Sequence, residues 1–226
     1  MRCNVNNSFY IPDSWVEVLF RPHLQSVVMS IVEPPIGIIG VFLNLLFIVV
    51  VNRSKKMQSN TNLYLVNLAI ADSLYLAYST WHCLANYFSS PFLGDHKFLG
   101  PIGCPIDAIM IYTNYFASLF LVGAVTFERY AAVCRPLTHR AVATKSRTVN
   151  MIVLCWASAL VCGAFMSIQL FDYTEDCMSY SPKYSHLPQT LATCHAPWSY
   201  ESPLRAIHYH GTPLVEVGAF QFYICR

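Results

Sequence analysis

The chain of 226 residues is 55% hydrophobic and only 12% charged, with a formal net charge of +2. A soluble domain carries roughly 25% charged residues, so these proportions exclude an ordinary water-facing surface and point to a bilayer. The positive excess is small and gathered in short loops, which argues against nucleic acid or an acidic substrate as partner.

In chain order, residues 1–26 form a polar tail with the glycosylation sequon Asn6-Asn7-Ser8. Its opening stretch contains Asn4, Asn6, Asn7, Asp13 and Glu17. It lacks the apolar centre of a cleavable signal, so the first span is expected to serve as an uncleaved signal anchor.

A helix needs about 20 apolar residues to cross the hydrocarbon layer. Four complete spans are read, Val27–Val51, Thr61–Phe88, Cys104–Tyr130 and Arg147–Phe171. Pro34 to Val51, Ala108 to Phe127 and Thr148 to Phe171 carry no charge, and Thr61 to Phe92 carries only Asp72. Such lengths favour helices over barrel strands, which alternate over about ten residues. The predicted class is therefore an all-α membrane protein. In "VEPPIG", Glu33 and the prolines beside it mark the outer turn of the first helix and a kink. Residues 172–214 form the one long segment outside the membrane, and 215–226 hold the uncharged run Val217 to Cys225, the start of a fifth helix.

Short loops rich in Lys and Arg stay cytoplasmic. Arg53, Lys55 and Lys56 follow the first helix, and Arg135, Arg140, Lys145 and Arg147 follow the third. The loop after the second offers only Lys97, and the tail only Arg2 and Arg21. The N-terminus is thus predicted outside, in a multi-pass protein of the plasma membrane. Asn6 is then the credible glycosylation acceptor, because the second sequon, Asn52-Arg53-Ser54, faces the cytoplasm.

Of the nine cysteines, eight divide in the same way. Cys83, Cys155 and Cys162 lie in or near helix ends and Cys134 in a cytoplasmic loop, where buried or reduced thiols are expected. Cys3, Cys104, Cys177 and Cys194 face the oxidising side, where a disulfide among them is expected.

Polar side chains at bilayer depth need a partner or a water-filled cavity. Here they are Asn44 in the first helix, Asp72 in the second, and Asn114 and Ser118, four apart on one face of the third. The amides are read equally as bonds between packed helices or as parts of a site. Asp72, with no Lys or Arg at its depth, is read as an ion or proton site. The "FERYAAVCRPL" that closes the third span also allows two readings, since a juxtamembrane Arg is commonly a snorkelling topology signal.

In order along the chain stand "GVFLN", "TNLYLVNLAIAD", "GPIGC", "FERYAAVCRPL" and Trp156. From about Gly40 to Cys194 this pattern resembles a rhodopsin-like (class A) G-protein-coupled receptor, down to the separation of Cys104 from Glu128. The resemblance implies a seven-helix bundle, of which this chain holds four complete helices and the start of a fifth. It assigns Asn44 and Asp72 to a polar core, with Asn114 and Ser118 completing a sodium pocket; beyond that ion at Asp72 no cofactor is expected. It makes Arg129 the switch that engages a heterotrimeric G protein, held at rest by Glu128 and followed by Tyr130. Pro136 and Leu137 become the loop knob that packs on that G protein, and Trp156 a packing residue. It implies a Cys104–Cys194 disulfide, with Cys177 as the competing partner.

Amine receptors of this family carry an Asp where this chain has Ile111, so an amine ligand is not expected. Tyr112, Tyr115 and Phe116, with Asp107 a turn above Ile111, suit an uncharged or peptide ligand that needs packing and a few hydrogen bonds. Core packing is the competing reading of these rings. The wording is most similar to neuropeptide receptors of the thyrotropin-releasing hormone receptor type, with an extracellular peptide and membrane lipid as partners. The chain departs from the pattern at Lys97, where the family often has Trp, and in "AFMSIQL", which lacks the usual Pro of the fourth helix. Cut within its fifth helix, the chain alone is expected neither to bind ligand with native affinity nor to activate a G protein, and to be retained in the endoplasmic reticulum.

Two other classes fit four spans: a tetraspanin-like membrane organiser, and a channel or transporter fragment that uses Asp72. The organiser would place its large loop between the third and fourth helices and both termini in the cytoplasm. An enzyme is not expected: there is no Gly-rich phosphate loop and no His-Glu-x-x-His, and His208 and His210 lack further metal ligands at sensible spacing.

Overall fold

The computed structural model describes residues 8–13, 16, 26–92, 95–137, 144–168 and 172–195. Its main elements are β1 (Ser8–Tyr10), α1 (Glu33–Arg53), α2 (Asn60–Ser89), α3 (Gly100–Cys134), α4 (Lys145–Ser167), β2 (Asp172–Ser179) and β3 (Thr190–His195). The chain divides into two compact units, one of Pro35–Thr80 and Asp107–Ser167, the other of Met1–Pro34, Trp81–Ile106 and Ile168–Arg226.

The first unit is helical. Its core is formed by Tyr64 and Ala71 of α2, Ala117 and Leu121 of α3, and Ile152, Cys155 and Ala159 of α4. On α4 the buried residues Thr148, Ile152, Cys155, Ala159, Gly163 and Ser167 recur every third or fourth position, one face of a 3.6-residue helix. Lipid supplies no hydrophobic drive between helices, so small residues that let backbones approach do the packing. At Gly163 an added Cβ would come within 2.9 Å of the Thr113 backbone nitrogen. Gly37 and Gly40 of α1 make room for the side chains of Thr80 and Leu76 of α2. The remaining faces are apolar and exposed, as at Ile38, Phe42, Leu46 and Val49 of α1 and Val153, Leu160 and Val161 of α4.

Among the described residues, three helices are long and apolar enough to cross a membrane: Val28–Arg53, Gly100–Cys134 and Lys145–Ser167. The expected second span is present as the helix α2. At 30 residues α2 has the length, but Asn60, Asn62, Asn67, Asp72, Ser73 and Asn86 lower its hydropathy. Much of that polarity is met by neighbours, as described below.

In the second unit three strands form a sheet in the order β1-β2-β3. β2 and β3 are antiparallel, with Asp172 opposite His195 and Cys177 opposite Thr190. β1 adds in parallel, Ser8 to Cys177 and Tyr10 to Ser179, and the Ile11 N–H extends the ladder to the Ser179 carbonyl at 2.9 Å. Ile11, Val16, Phe92, Met178, Leu187 and Leu191 form its core, flanked by Tyr180 and Tyr184. Of this sheet the family resemblance implies only the short strand at "TLATCHA", now β3; β1 and β2 escape the sequence, because short strands of mixed polarity show no periodicity apart from their pairing.

Several boundaries also move. α3 begins at Gly100 and ends at Cys134, wider than Cys104–Tyr130. Gly100 has φ 64°, a left-handed value that glycine adopts without strain, which lets the chain turn into the helix there. α4 ends at Ser167 and Asp172 starts β2, while the expected end at Phe171 lies outside the described residues. At the expected kink of "VEPPIG" the coil changes type: a π-helical turn, Val28–Val32, leads directly into α1 at Glu33.

Cys134, Cys155 and Cys162 are free thiols, as expected. Cys83 is not, since both it and Cys177 are disulfide-bonded. The reason lies in position: from Trp81 onward α2 belongs with the sheet, and Cys83 packs there with Met29 and Tyr87. Asn6, Arg140, His208, His210 and the run Val217 to Cys225 lie outside the described residues.

Candidate functional site

α2 carries the polar groups of the helical unit, and α3 and α4 answer them. The Ser118 hydroxyl donates to Asp72 Oδ1 at 2.6 Å. Trp156 Nε1–H reaches Asn67 Oδ1 at 3.4 Å, while the Asn67 amide donates to the Leu63 carbonyl at 2.9 Å. The Tyr78 hydroxyl donates to Asp107 Oδ1 at 3.0 Å. Each contact replaces water for a group that would otherwise cost a few kcal/mol at bilayer depth.

Of the expected polar core, Asp72 and Ser118 are brought together directly. Asn114 instead turns its amide to the Met110 carbonyl at 2.7 Å, and Asn44 to the Gly40 carbonyl at 2.9 Å. Each amide nitrogen thereby gives a hydrogen bond within its own helix, and the amide oxygens are acceptors. Carboxylate, hydroxyl and amide oxygens are the donor type that hard cations take, so these residues fit a sodium ion chemically.

The expected ligand-pocket residues occupy different sides of α3. Asp107 and Ile111 are four apart on its buried side, at 4% and 6% exposure. Tyr112, Tyr115 and Phe116 share another side. Tyr115 meets Phe116 edge to face with centroids 5.4 Å apart, and Phe116 stacks on Phe120 at 6.0 Å. Phe116 also packs against the helical core. At the C-terminal end of α3, Glu128 is half-buried, whereas Arg129 and Tyr130 are exposed. Pro136 and Leu137 just beyond are exposed too, Leu137 by 84%.

In the sheet unit, the disulfide Cys104–Cys194 joins α3 to β3 with Cα atoms 5.8 Å apart, and Cys177 bonds elsewhere. Asp95 anchors the same strand. Its Oδ1 accepts the N–H groups of Lys97 and Ala192, each at 3.1 Å, and its carbonyl accepts the Asn86 amide at 3.2 Å. The His96 N–H donates to the Ala192 carbonyl at 2.8 Å, and Lys97 Nζ to the Thr190 hydroxyl at 3.1 Å. The loop thus acts as a further edge partner for β3, and Lys97 makes a contact of its own. On β2 the Tyr173 hydroxyl donates to Glu175 at 2.7 Å, and burial followed by that carboxylate raises its pKa. Burial and then the Asp95 charge push the neighbouring Tyr180 up to about 12.

Sequence reasoning missed Asn67, Tyr78 and Asp95. Asn67 stands inside the quoted "TNLYLVNLAIAD", so its polarity at depth was a usable signal. Tyr78 and Asp95 carry no local signal, because their meaning depends on Asp107 and Ala192, which are 29 and 97 positions away.

Residues 43–210 match the family model described as 7 transmembrane receptor (rhodopsin family). The chain belongs to the rhodopsin family of seven-transmembrane receptors. Among its relatives are neuromedin-U receptor 2 of Mus musculus, 34% identical over 60% of this chain and 33% of that receptor. The thyrotropin-releasing hormone receptor of Gallus gallus is 36% identical over 56% of this chain and 30% of its own length. The motilin receptor of Homo sapiens is 31% identical over 55% of the chain and 29% of the receptor. The aligned part of the chain covers about a third of the length of these relatives. The family and the apolar helices together make this a multi-pass membrane protein.

Proposed function

We propose that this chain carries the ligand-facing sheet and the Glu-Arg-Tyr switch of a peptide receptor that signals to a heterotrimeric G protein. The observation that carries the reading is the family match over residues 43–210, with relatives named for neuromedin-U, thyrotropin-releasing hormone and motilin. The sheet unit faces outside and the end of α3 faces the cytoplasm. Two features support that orientation: the basic loops after α1 and α3, and the division of bonded cysteines from the free thiols Cys134, Cys155 and Cys162.

The peptide is recognised outside, where Asp107, Ile111, Tyr112, Tyr115 and Phe116 of α3 offer packing surface and hydrogen-bonding tips. At the other end, the Arg129 guanidinium keeps its charge at every relevant pH. Its fork can exchange the Glu128 carboxylate for acceptors on a G protein, with Tyr130, Pro136 and Leu137 beside it as contact surface. Asp72 and Ser118, with the oxygens of Asn114 and Asn44, would hold a sodium ion whose charge stabilises the resting arrangement.

The test is nucleotide exchange by purified heterotrimeric G protein on membranes from cells that express a full-length form of this receptor, with and without neuromedin-U, thyrotropin-releasing hormone or motilin. Glu128→Gln is expected to raise basal exchange, and Arg129→Ala to abolish it. Equal exchange in wild type and both variants would reduce the Glu-Arg-Tyr to a topology signal and remove the reading.

A further inference from the structure

We infer that Lys55, Lys56, Lys145 and Arg147 hold the headgroup of a phosphorylated inositol lipid in the cytoplasmic leaflet. The inference takes one thing from the reading above, the cytoplasmic placement of the end of the helical unit that bears these residues.

The helical unit carries eight Lys and Arg residues against three acidic ones, Asp72, Asp107 and Glu128. Asp72 and Asp107 accept the hydroxyls of Ser118 and Tyr78, which leaves Glu128 as the one acid at the basic end. Lys55, Lys56, Lys145 and Arg147 are exposed, and none of the four meets a carboxylate among the described residues. Two of them also stand where a helix disfavours them. Lys145 and Arg147 lie in the first turn of α4, which holds no acidic residue, at the positive end of the macrodipole. A topology signal needs charge anywhere in the loop, whereas cations set against the dipole are stabilised when an anion joins them there.

Both pairs are held in place. Lys55 and Lys56 lie on the 3-10 turn Lys55–Met57, whose Met57 carbonyl accepts the Asn62 amide of α2, while the Gln58 amide donates to the Asn52 carbonyl at 3.3 Å. Ahead of α4, the Thr144 hydroxyl accepts the Arg147 N–H at 3.3 Å and its carbonyl accepts the Thr148 N–H at 3.1 Å, so the helix start is capped. The two pairs also lie at a similar level. α2 and α4 are two spans apart in a multi-pass chain and so run in the same direction, with Trp156 meeting Asn67 at 3.4 Å. From that contact it is about 10 Å along α2 to Asn60 and about 16 Å along α4 to Lys145, and the Lys55–Met57 turn extends the shorter arm.

Beyond Lys145 an exposed apolar stripe runs along α4 at helical spacing, through Val149, Val153 and Leu160. A phosphate held by these cations therefore sits at the end of a surface for acyl chains. That combination fits a lipid better than a free phosphate, and four cations call for a headgroup with several negative charges.

The test titrates the purified chain in neutral detergent with a short-chain phosphatidylinositol bisphosphate and counts bound lipid by native mass spectrometry. Lys55→Gln with Lys56→Gln, and Lys145→Gln with Arg147→Gln, are each expected to weaken binding about fivefold per charge removed. Lys55→Arg with Lys56→Arg should leave it intact. Phosphatidylserine, with one net charge, is expected to bind at least about tenfold more weakly, and soluble inositol trisphosphate at the same concentration to leave the lipid in place. Equal binding of phosphatidylserine would mean diffuse attraction, and displacement by the trisphosphate a site for a soluble phosphate. Undiminished binding in the Gln variants, with lower G-protein exchange in a full-length form, would give the surface to the G protein. Each of these results overturns the inference, as does undiminished binding alone.

Placement is measured separately. In sealed microsomes, a membrane-impermeant maleimide is expected to label Lys56→Cys in a Cys134→Ser background without detergent. Labelling only after detergent would put this end in the lumen, and the reading above would fall together with the leaflet assigned here. Labelling without detergent, in a chain that binds no lipid, overturns this inference alone.

Discussion

The carboxylate of Asp95 accepts the backbone N–H of Ala192 at 3.1 Å, across 97 positions of sequence. At 2% exposure it also satisfies the Lys97 N–H. Removing a buried acceptor strands each donor at a cost of about 1–3 kcal/mol. Asp95→Ala is therefore expected to lower the thermal midpoint of the purified protein by several degrees. An exposed acidic control, Asp172→Ala, should move it little. A midpoint unchanged in Asp95→Ala would show that β3 is held without the loop.

Tyr78 and Asp107 form a second long-range pair. Tyr78→Phe leaves the buried carboxylate short of a donor and is expected to destabilise by about 1.5–3 kcal/mol, the range for hydrogen bonds to charged groups. Asp107→Asn in the same background should recover part of the loss, since a neutral amide is cheaper to bury. Denaturant unfolding of both single variants and the double variant measures the coupling; strictly additive losses would mean that the contact carries no energy.

Two glycines in the helical unit invite opposite outcomes. At Gly163 a Cβ would press on the Thr113 backbone, whereas at Gly123 nothing lies within 4 Å. Gly163→Val is expected to push α3 and α4 apart and cost roughly 1–3 kcal/mol or more. Gly123→Ala should be neutral or stabilise by up to about 1 kcal/mol through helix propensity. Parallel melts decide the matter, and a tolerated Gly163→Val would disprove the close approach.

Alkaline pH should act through Tyr180. Its pKa in the fold is raised from the ordinary 10.0 to about 12, so the folded state prefers the neutral phenol. That preference is fully present below pH 10 and is lost as pH climbs from 10 through about 12. Thermal midpoints measured across this window are expected to fall more steeply in wild type than in Tyr180→Phe. Identical slopes would place the phenol in a more watery setting.

The helices were legible in the sequence because a span's requirement is local: about 20 residues of low charge meet lipid whatever else the chain does. The family pattern was legible for a similar reason, since "TNLYLVNLAIAD" and "FERYAAVCRPL" are contiguous runs. Cys104, Asp72 and Ser118 could be named in advance, because polar or oxidisable groups in such settings stand out against an apolar background. The partnerships that satisfy most of them could not. Tyr78 with Asp107, Trp156 with Asn67 and Asp95 with Ala192 each join residues far apart in sequence. No periodicity records which helix faces which. Most of the sheet was hidden for the same reason: β1 and β2 are too short and too mixed to declare themselves, and exist because pairing satisfies backbone groups that a lone segment would leave to water. Burial of Cys83 beside Met29, and not in the helical core, likewise follows from where α2 leaves one unit for the other, which is a property of packing in three dimensions.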